Sequence, residues 1–356
     1  MLNWLLIFVP ITGVLAYWLH PADSILFISA ALAIVPIAAL IGESTENLAV
    51  KTGPTIGGLL NATFGNATEM IIAVFALRAG KIEVVKASIT GSMISNMLLV
   101  LGLALFLGGL RHRTQSFNKE VAGALSSLLL IVTIAFLVPA MFDLTERMGG
   151  VTPARALIGD ETFALAASVV LIGLYVSNLI FSLVTHKDLI SSSDDPHEGE
   201  PWSTRRSVAT LAVATLAVAW LSELLVGSLE GFSRQLGLTE VFAGLIIIPI
   251  IGNAAEHAAS VFAVKNKLDL AIQIALGATI QIALLVAPLL VILSFVIGQP
   301  MDLVIHRPLE LVGLIGATLI TASVARDGET NWLEGAMLLG VYLLLALAFY
   351  FLPAGV

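Results

Sequence analysis

The chain has 356 residues, 58% hydrophobic and only 12% charged, with a net charge of −8. A soluble domain is about 45–50% apolar and about 25% charged, so this excess does not fit one water-soluble core; the bilayer is its natural solvent. Cysteine is absent, which excludes disulfide and thiolate chemistry, and no basic block offers a surface to nucleic acid.

In chain order, runs without Asp, Glu, Lys or Arg cover 1–22, 24–42, 87–110, 121–142, 162–185, 270–301 and 335–356. Four more runs carry isolated charges: 52–77 with Glu69, 207–229 with Glu223, 241–264 with Glu256, and 304–325 with Arg307 and Glu310. About 20 apolar residues cross a hydrocarbon core as a helix, so the pattern predicts an all-α integral membrane protein with 11 transmembrane helices. Run 1–22 lacks a basic start and is followed at once by another span, so it reads as a retained helix rather than a signal peptide. Pro288 predicts a break in the long run 270–301.

The stretch 186–206, "HKDLISSSDDPHEGEPWSTRR", is the most polar and reads as an acidic loop. It divides the chain into an extra N-terminal helix (1–22), a five-helix repeat (23–185) and a second five-helix repeat (207–356). An odd number of spans per repeat gives the halves opposite orientations, the geometry of inverted-repeat transporters. Lys and Arg divide ten against seven between the two sets of loops. That excess predicts a cytoplasmic N-terminus, and hence an outside C-terminus.

The halves also match in letters. Residues 65–78, "GNATEMIIAVFALR", align without gaps on 252–265, "GNAAEHAASVFAVK", with seven of 14 positions identical. Further on, 91–100, "GSMISNMLLV", aligns on 277–286, "GATIQIALLV", with five identities in ten. Internal duplication of this kind is a fold-level signal.

The repeated word places Asn66 three residues before Glu69, and Asn253 three before Glu256. On a continuous helix that spacing puts both side chains on one face. Gly65 and Gly252 let a neighbouring element approach closely. Two carboxylates and two amide oxygens are hard ligands suited to Ca2+, which takes about 6–8 oxygens in irregular geometry. Ser92 and Ser95, with Asn96 beside them, and Thr279 and Gln281 in the other half, are candidates to complete the shell. Two glutamates with one divalent cation sum to zero charge, and so do two glutamates with two protons. The same pair can therefore hold metal or protons, and neutrality alone calls for at least two protons per ion. An ionisable residue inside a membrane is a functional candidate by default.

"GNATE", "GNAAEH", "GSMISN" and "GATIQIALLV" resemble the paired alpha-repeat motifs of the cation/proton exchanger (CAX) family, within the calcium/cation antiporter superfamily. Residues 53–77, "GPTIGGLLNATFGNATEMIIAVFAL", are especially similar to the family pattern, and the resemblance runs from about Glu43 to the last span. It implies 11 helices about a pseudo-two-fold axis and Ca2+ export driven by inward proton flow. Glu69 and Glu256 are then the ion and proton carriers, with Asn66, Asn253, Ser92 and Gln281 as neighbours. His257 is an accompanying proton-coupling candidate; about 100° of helical rotation separates it from Glu256, so packing is the competing reading. Glu43, Glu46 and Glu223 are candidates for the access path. Asp188, Asp194, Asp195, Glu198 and Glu200 in the acidic loop read as a solvated linker.

The expectation is therefore a Ca2+/H+ antiporter of the plasma membrane, not an enzyme, with Ca2+, protons and the lipid bilayer as its partners. No cofactor is implied beyond the transported ions. The alternatives are a sodium-coupled exchanger or one carrying Mn2+ or K+ on the same fold, and a passive cation channel.

Overall fold

A computed structural model describes residues 3–185, 202–263 and 268–353. The acidic residues 188–200 of the central loop, and Lys265 in the second repeated motif, lie outside the described residues. Thirteen helical segments are described. They are α1 (Asn3–Leu19), α2 (Asp23–Thr52), α3 (Pro54–Phe64), α4 (Ala67–Arg78), α5 (Ile82–Gly109), α6 (Lys119–Met148), α7 (Pro153–Thr185), α8 (Thr204–Leu236), α9 (Glu240–Gly252), α10 (Ala254–Ala263), α11 (Leu268–Ile297), α12 (Pro308–Val324) and α13 (Trp332–Phe351). The exception to the all-α expectation is a two-residue antiparallel pair, β1 (Gln115–Ser116) with β2 (Glu329–Thr330).

Helix is present in each of the eleven predicted stretches. By length and hydropathy, seven described helices are able to cross a membrane, and eight if α9 and α10 are one bent span. The apolar side chains face outward as well as inward: the apolar window of α7 is only 22% buried, and Val169 and Val170 are exposed to the surroundings. An apolar outer face is what a bilayer solvates.

The helix ends follow from local chemistry. Gly53 takes φ +84° between α2 and α3, and Pro54 then begins α3, where its missing N–H is no loss. Asn118 accepts from the backbone N–H groups of Glu120 and Val121 at the start of α6, and Asn331 caps α13 in the same way. The predicted break at Pro288 does not occur; α11 continues to Ile297. A wide π-type turn at Ile282–Val286 precedes the proline with Ala287 between them, and Gly298 in the left-handed region ends the helix. Such a turn loosens the regular hydrogen-bond ladder locally, so the proline does not stop the helix.

Two compact units interleave the halves. One comprises residues 1–88 and 179–255, the other residues 89–178 and 256–356. In the first unit α2 packs along α8. Phe27 stacks on Phe232 with ring centroids 4.0 Å apart, and the buried positions alternate large residues (Ile34, Ile41, Leu221, Leu225) with Ala30, Ala33 and Ala214. Small residues let two helix backbones come close. Thr12 bonds Ser29 at 2.7 Å, and Trp220 donates to the Tyr17 hydroxyl at 2.9 Å, holding α1 to this pair.

In the second unit α5 packs against α13, α11 and α12. A Cβ at Gly335 would lie 2.8 Å from the Gly102 carbonyl oxygen, so the α5–α13 contact is backbone to backbone. Thr133 of α6 bonds Thr318 of α12 at 2.7 Å, and Thr321 donates to the Met97 carbonyl at 3.4 Å.

Candidate ion-binding site

The two repeated words fold into the same local shape. Helix α3 stops at Phe64, Asn66 takes φ −95° and ψ 16°, and α4 starts at Ala67. In the second half α9 stops at Gly252, Asn253 takes φ −94° and ψ 15°, and α10 starts at Ala254. The pair α9–α10 is bent by 58° at this break. The expectation of one continuous helix face through Asn and Glu is therefore corrected. Each Asn sits between two helical segments, in the sparsely populated bridge region that its short polar side chain tolerates. Each Glu lies in the first turn of the following helix, where the positive end of the helix dipole suits an acidic side chain. A broken helix at membrane depth offers backbone groups that a continuous one keeps to itself.

In the first unit, Asn66 and Asn253 are both buried and Glu69 is half-buried. Asn253 Nδ2 donates to the Pro249 carbonyl at 3.0 Å, which leaves Oδ1 as the amide atom that accepts. The Pro249 carbonyl is thus engaged by this amide. A Cβ added at Gly252 would lie 2.9 Å from Glu69 Cγ. The first motif's carboxylate side chain therefore packs on the second motif's glycine, the close approach that the glycine was expected to allow. Glu256 follows Gly252 by four residues along the chain. Glu43, Glu46 and Glu223 also belong to this unit and are exposed. Beside them, Asn47 Oδ1 accepts from the Trp202 N–H at 2.8 Å, and Arg206 stacks on the Trp202 ring at 3.9 Å.

In the second unit, Glu256 and His257 are half-buried at the start of α10, and His257 Nε2 has no hydrogen-bond partner among the described residues. Ser92, Ser95 and Thr279 are buried and Gln281 is half-buried. Thr279 donates its hydroxyl proton to the Ala275 carbonyl at 3.0 Å, leaving its oxygen able to accept or ligate. Helix α5 has a wide π-type turn at Ser95–Val100, packed against the Leu268–Gln281 part of α11. The wide turn of α11, Ile282–Val286, falls at the aligned place in the other half. Turns of this kind recur at functional sites. Asn96 sits in the first of them with no exposure, and neither amide atom has a hydrogen-bond partner among the described residues. Its counterpart is Ile282, so letter matching alone gave Asn96 no more than a place beside Ser95.

The model of the sodium/calcium exchanger protein family matches residues 23–184 and 206–351. The chain belongs to this family, in its cation/proton exchanger branch. It is a multi-pass membrane transporter rather than an enzyme. A Ca(2+)/H(+) antiporter from Aphanothece halophytica is 46% identical, over 98% of this chain and 96% of its own. The Ca(2+)/H(+) antiporter ChaA of Bacillus subtilis (strain 168) is 42% identical over 96% of both chains. Among solved structures, native YfkE superposes with a TM-score of 0.85 at 37% identity, covering 99% of this exchanger and all of that chain.

Proposed function

We propose that this exchanger moves Ca2+ out of the cytoplasm in return for protons, through one site to which Glu69 and Glu256 both contribute. The observation that carries this reading is the Gly252–Glu69 contact between two identically broken Gly-Asn words. It puts the first carboxylate against the helix end from which the second carboxylate follows. The names of the relatives, Ca(2+)/H(+) antiporter, point to the same ion pair. Asn66, Asn253, Ser92, Ser95, Thr279 and Gln281 supply neutral oxygens, with Asn96 added by its burial, and His257 assists proton movement. Loaded with one Ca2+ or with two protons the pair of glutamates is neutral, and that neutrality couples the two flows.

The remaining expectations stand as part of this proposal. They are eleven crossings, inverted halves 23–185 and 207–356, a plasma-membrane location with a cytoplasmic N-terminus, and no cofactor beyond the transported ions. Alternating access is assigned to α2 and α8, whose small-residue packing permits sliding. Glu43, Glu46 and Glu223 line the access path.

Reconstituted vesicles test the reading. An imposed pH gradient is expected to drive Ca2+ uphill without sodium. Strict dependence on sodium rejects proton exchange, and failure to move Ca2+ against its own gradient leaves only a passive pathway.

A further inference from the structure

Within the first unit, the approach of Glu69 to Gly252 has a second contact at its far end. Just past α4, Gly80 takes φ +71°, and the Gly80 and Lys81 N–H groups donate to the Leu77 and Ala76 carbonyls, both at 2.9 Å. This closure ties the backbone of Lys81 to the end of α4. At the head of α9, the Thr239 hydroxyl accepts from the Phe242 N–H at 3.0 Å, and Glu240 stands in the first turn. Lys81 Nζ lies 2.8 Å from Glu240 Oε2, with 19% and 33% of the two side chains exposed. Lys86, the next basic side chain, pairs with Glu83 of its own helix at 3.5 Å, whereas Lys81 crosses to α9.

The two contacts are evenly spaced. Lys81 follows Glu69 by 12 residues, and Glu240 precedes Gly252 by 12. The two segments therefore run antiparallel and meet at both ends of a stretch of roughly 18 Å, at about 1.5 Å per residue. Gly244 adds a third point of approach, to the start of α5: a Cβ there would lie 3.0 Å from the Ala87 Cβ and from the Val84 carbonyl oxygen. Val84, Val85, Ala87 and Ala243 around it are buried. Extending the ungapped alignment of the repeated words toward the N-terminus pairs Gly57 with Gly244 and Gly53 with Glu240. The first half uses these positions differently. A Cβ at Gly57 would meet the Ala49 carbonyl oxygen of α2, and Gly53 has no side chain to form an ion pair.

We propose that Lys81 and Glu240 are positioning residues of the ion site: their bond fixes how α4 lies along α9, and thereby where the Glu69 side chain stands beside Gly252. This role rests on the reading of Glu69 as an ion carboxylate. A single contact between two helices leaves a pivot, and a second contact at the far end removes it. Helix α9 needs such an anchor, because a wide turn at Ala243–Ile247 and then Pro249 interrupt its regular hydrogen-bond ladder. A partly exposed ion pair adds little to overall stability, so its loss shows in the geometry of the site rather than in folding.

Ca2+ binding to the full chain in lipid, at fixed pH and ionic strength, tests this role, with the melting temperature read alongside. Lys81→Met and Glu240→Gln are each expected to weaken Ca2+ binding about threefold, with little change in melting temperature. The sign for Lys81→Met is diagnostic: by its field alone, removing a positive charge strengthens the binding of a cation. The swapped pair Lys81→Glu/Glu240→Lys is expected to recover most of the lost affinity. Binding by Lys81→Met as tight as wild type or tighter, or a swapped pair no better than the single variants, overturns the proposal. If Lys81→Met fails to insert, a disulfide carries the test. The chain has no cysteine, and Ala87→Cys/Gly244→Cys sets two thiols near the Cβ spacing of about 3.5–4.5 Å that a disulfide takes. Added to Glu240→Gln, this pair is expected to restore Ca2+ binding when oxidised and to lose it again when reduced; equal binding in the two states overturns the proposal. Glu69→Gln separates this role from the reading beneath it. If that variant binds Ca2+ like wild type, Glu69 is no ion ligand and the site reading itself falls. If it binds weakly while Lys81→Met binds normally, only the positioning role falls.

Discussion

The breaks at Asn66 and Asn253 have the same backbone angles to within a degree, yet their approaches differ. The first follows α3, a plain helix of eleven residues. The second follows α9, which contains a wide turn at Ala243–Ile247 and then Pro249, whose carbonyl takes the Asn253 amide. The helices after the breaks repeat the contrast: both carry a wide turn at the aligned place, but one holds Asn96 and the other Ile282. Duplication has kept the turn that presents a carboxylate at the start of a helix, and has let the surrounding donors diverge. A near-symmetric backbone therefore carries unlike side chains in the two halves.

The comparison breaks most visibly if the two carboxylates are not equivalent. Glu69→Gln and Glu256→Gln are each expected to lower coupled exchange by on the order of a hundredfold or more, since losing one charged partner at a buried site costs about 3–5 kcal/mol. Ca2+ uptake and proton release measured together in vesicles check this. A variant that keeps both fluxes shows that its half contributes only the turn.

The glycine contact gives the next largest effect. Gly252→Ala puts a methyl group 2.9 Å from Glu69 Cγ, so the Glu69 side chain must move. Overpacking of this kind costs about 1–3 kcal/mol, and exchange is expected to fall about tenfold with a lower melting temperature. Gly277→Ala is the control: it lies in the other aligned word, and nothing stands within 4 Å of its added Cβ. Its melting temperature and exchange should stay unchanged or improve slightly, because alanine favours helix over glycine. Equal effects from the two would remove the special role of the Gly252–Glu69 approach.

The sequence disclosed where helices stand, because runs of apolar letters respond to the bilayer irrespective of packing. Ends were harder. Helix α2 runs to Thr52, ten residues past its charge-free stretch, and Glu43 and Glu46 point outward there at no cost to the helix. The breaks within the repeated words were not legible, since Gly-Asn in a greasy run fits a helix interior as well as a helix junction. Their correspondence between the halves was legible, because the word recurs. The approaches of His306 to Asp143 and of Glu146 to the Gly159 backbone were hidden for the opposite reason: these residues sit singly at the edges of different spans, where an isolated acid usually faces water. Only folding brings α6, α7 and segment 299–307 together.

The smallest expected effect separates an ion ligand from a packed amide at Asn96. A buried amide without partners costs about 1–3 kcal/mol, so the protein gives up stability to keep it. Asn96→Ile installs the residue that stands at the aligned place in α11, where a wide turn accepts it. If Asn96 serves the ion, the variant should bind Ca2+ several-fold more weakly, by about 1 kcal/mol, with a melting temperature equal to or above the wild type. The reciprocal change, Ile282→Asn, should lower stability without strengthening Ca2+ binding, because it adds a buried amide where none is used. Titration of Ca2+ against both variants checks the pair. An unchanged affinity in Asn96→Ile would make the two halves alike in function at this position as well as in backbone, and any asymmetry of the proposed ligands would then have to rest on Ser92 opposite Ala278, Met93 opposite Thr279 and Ser95 opposite Gln281.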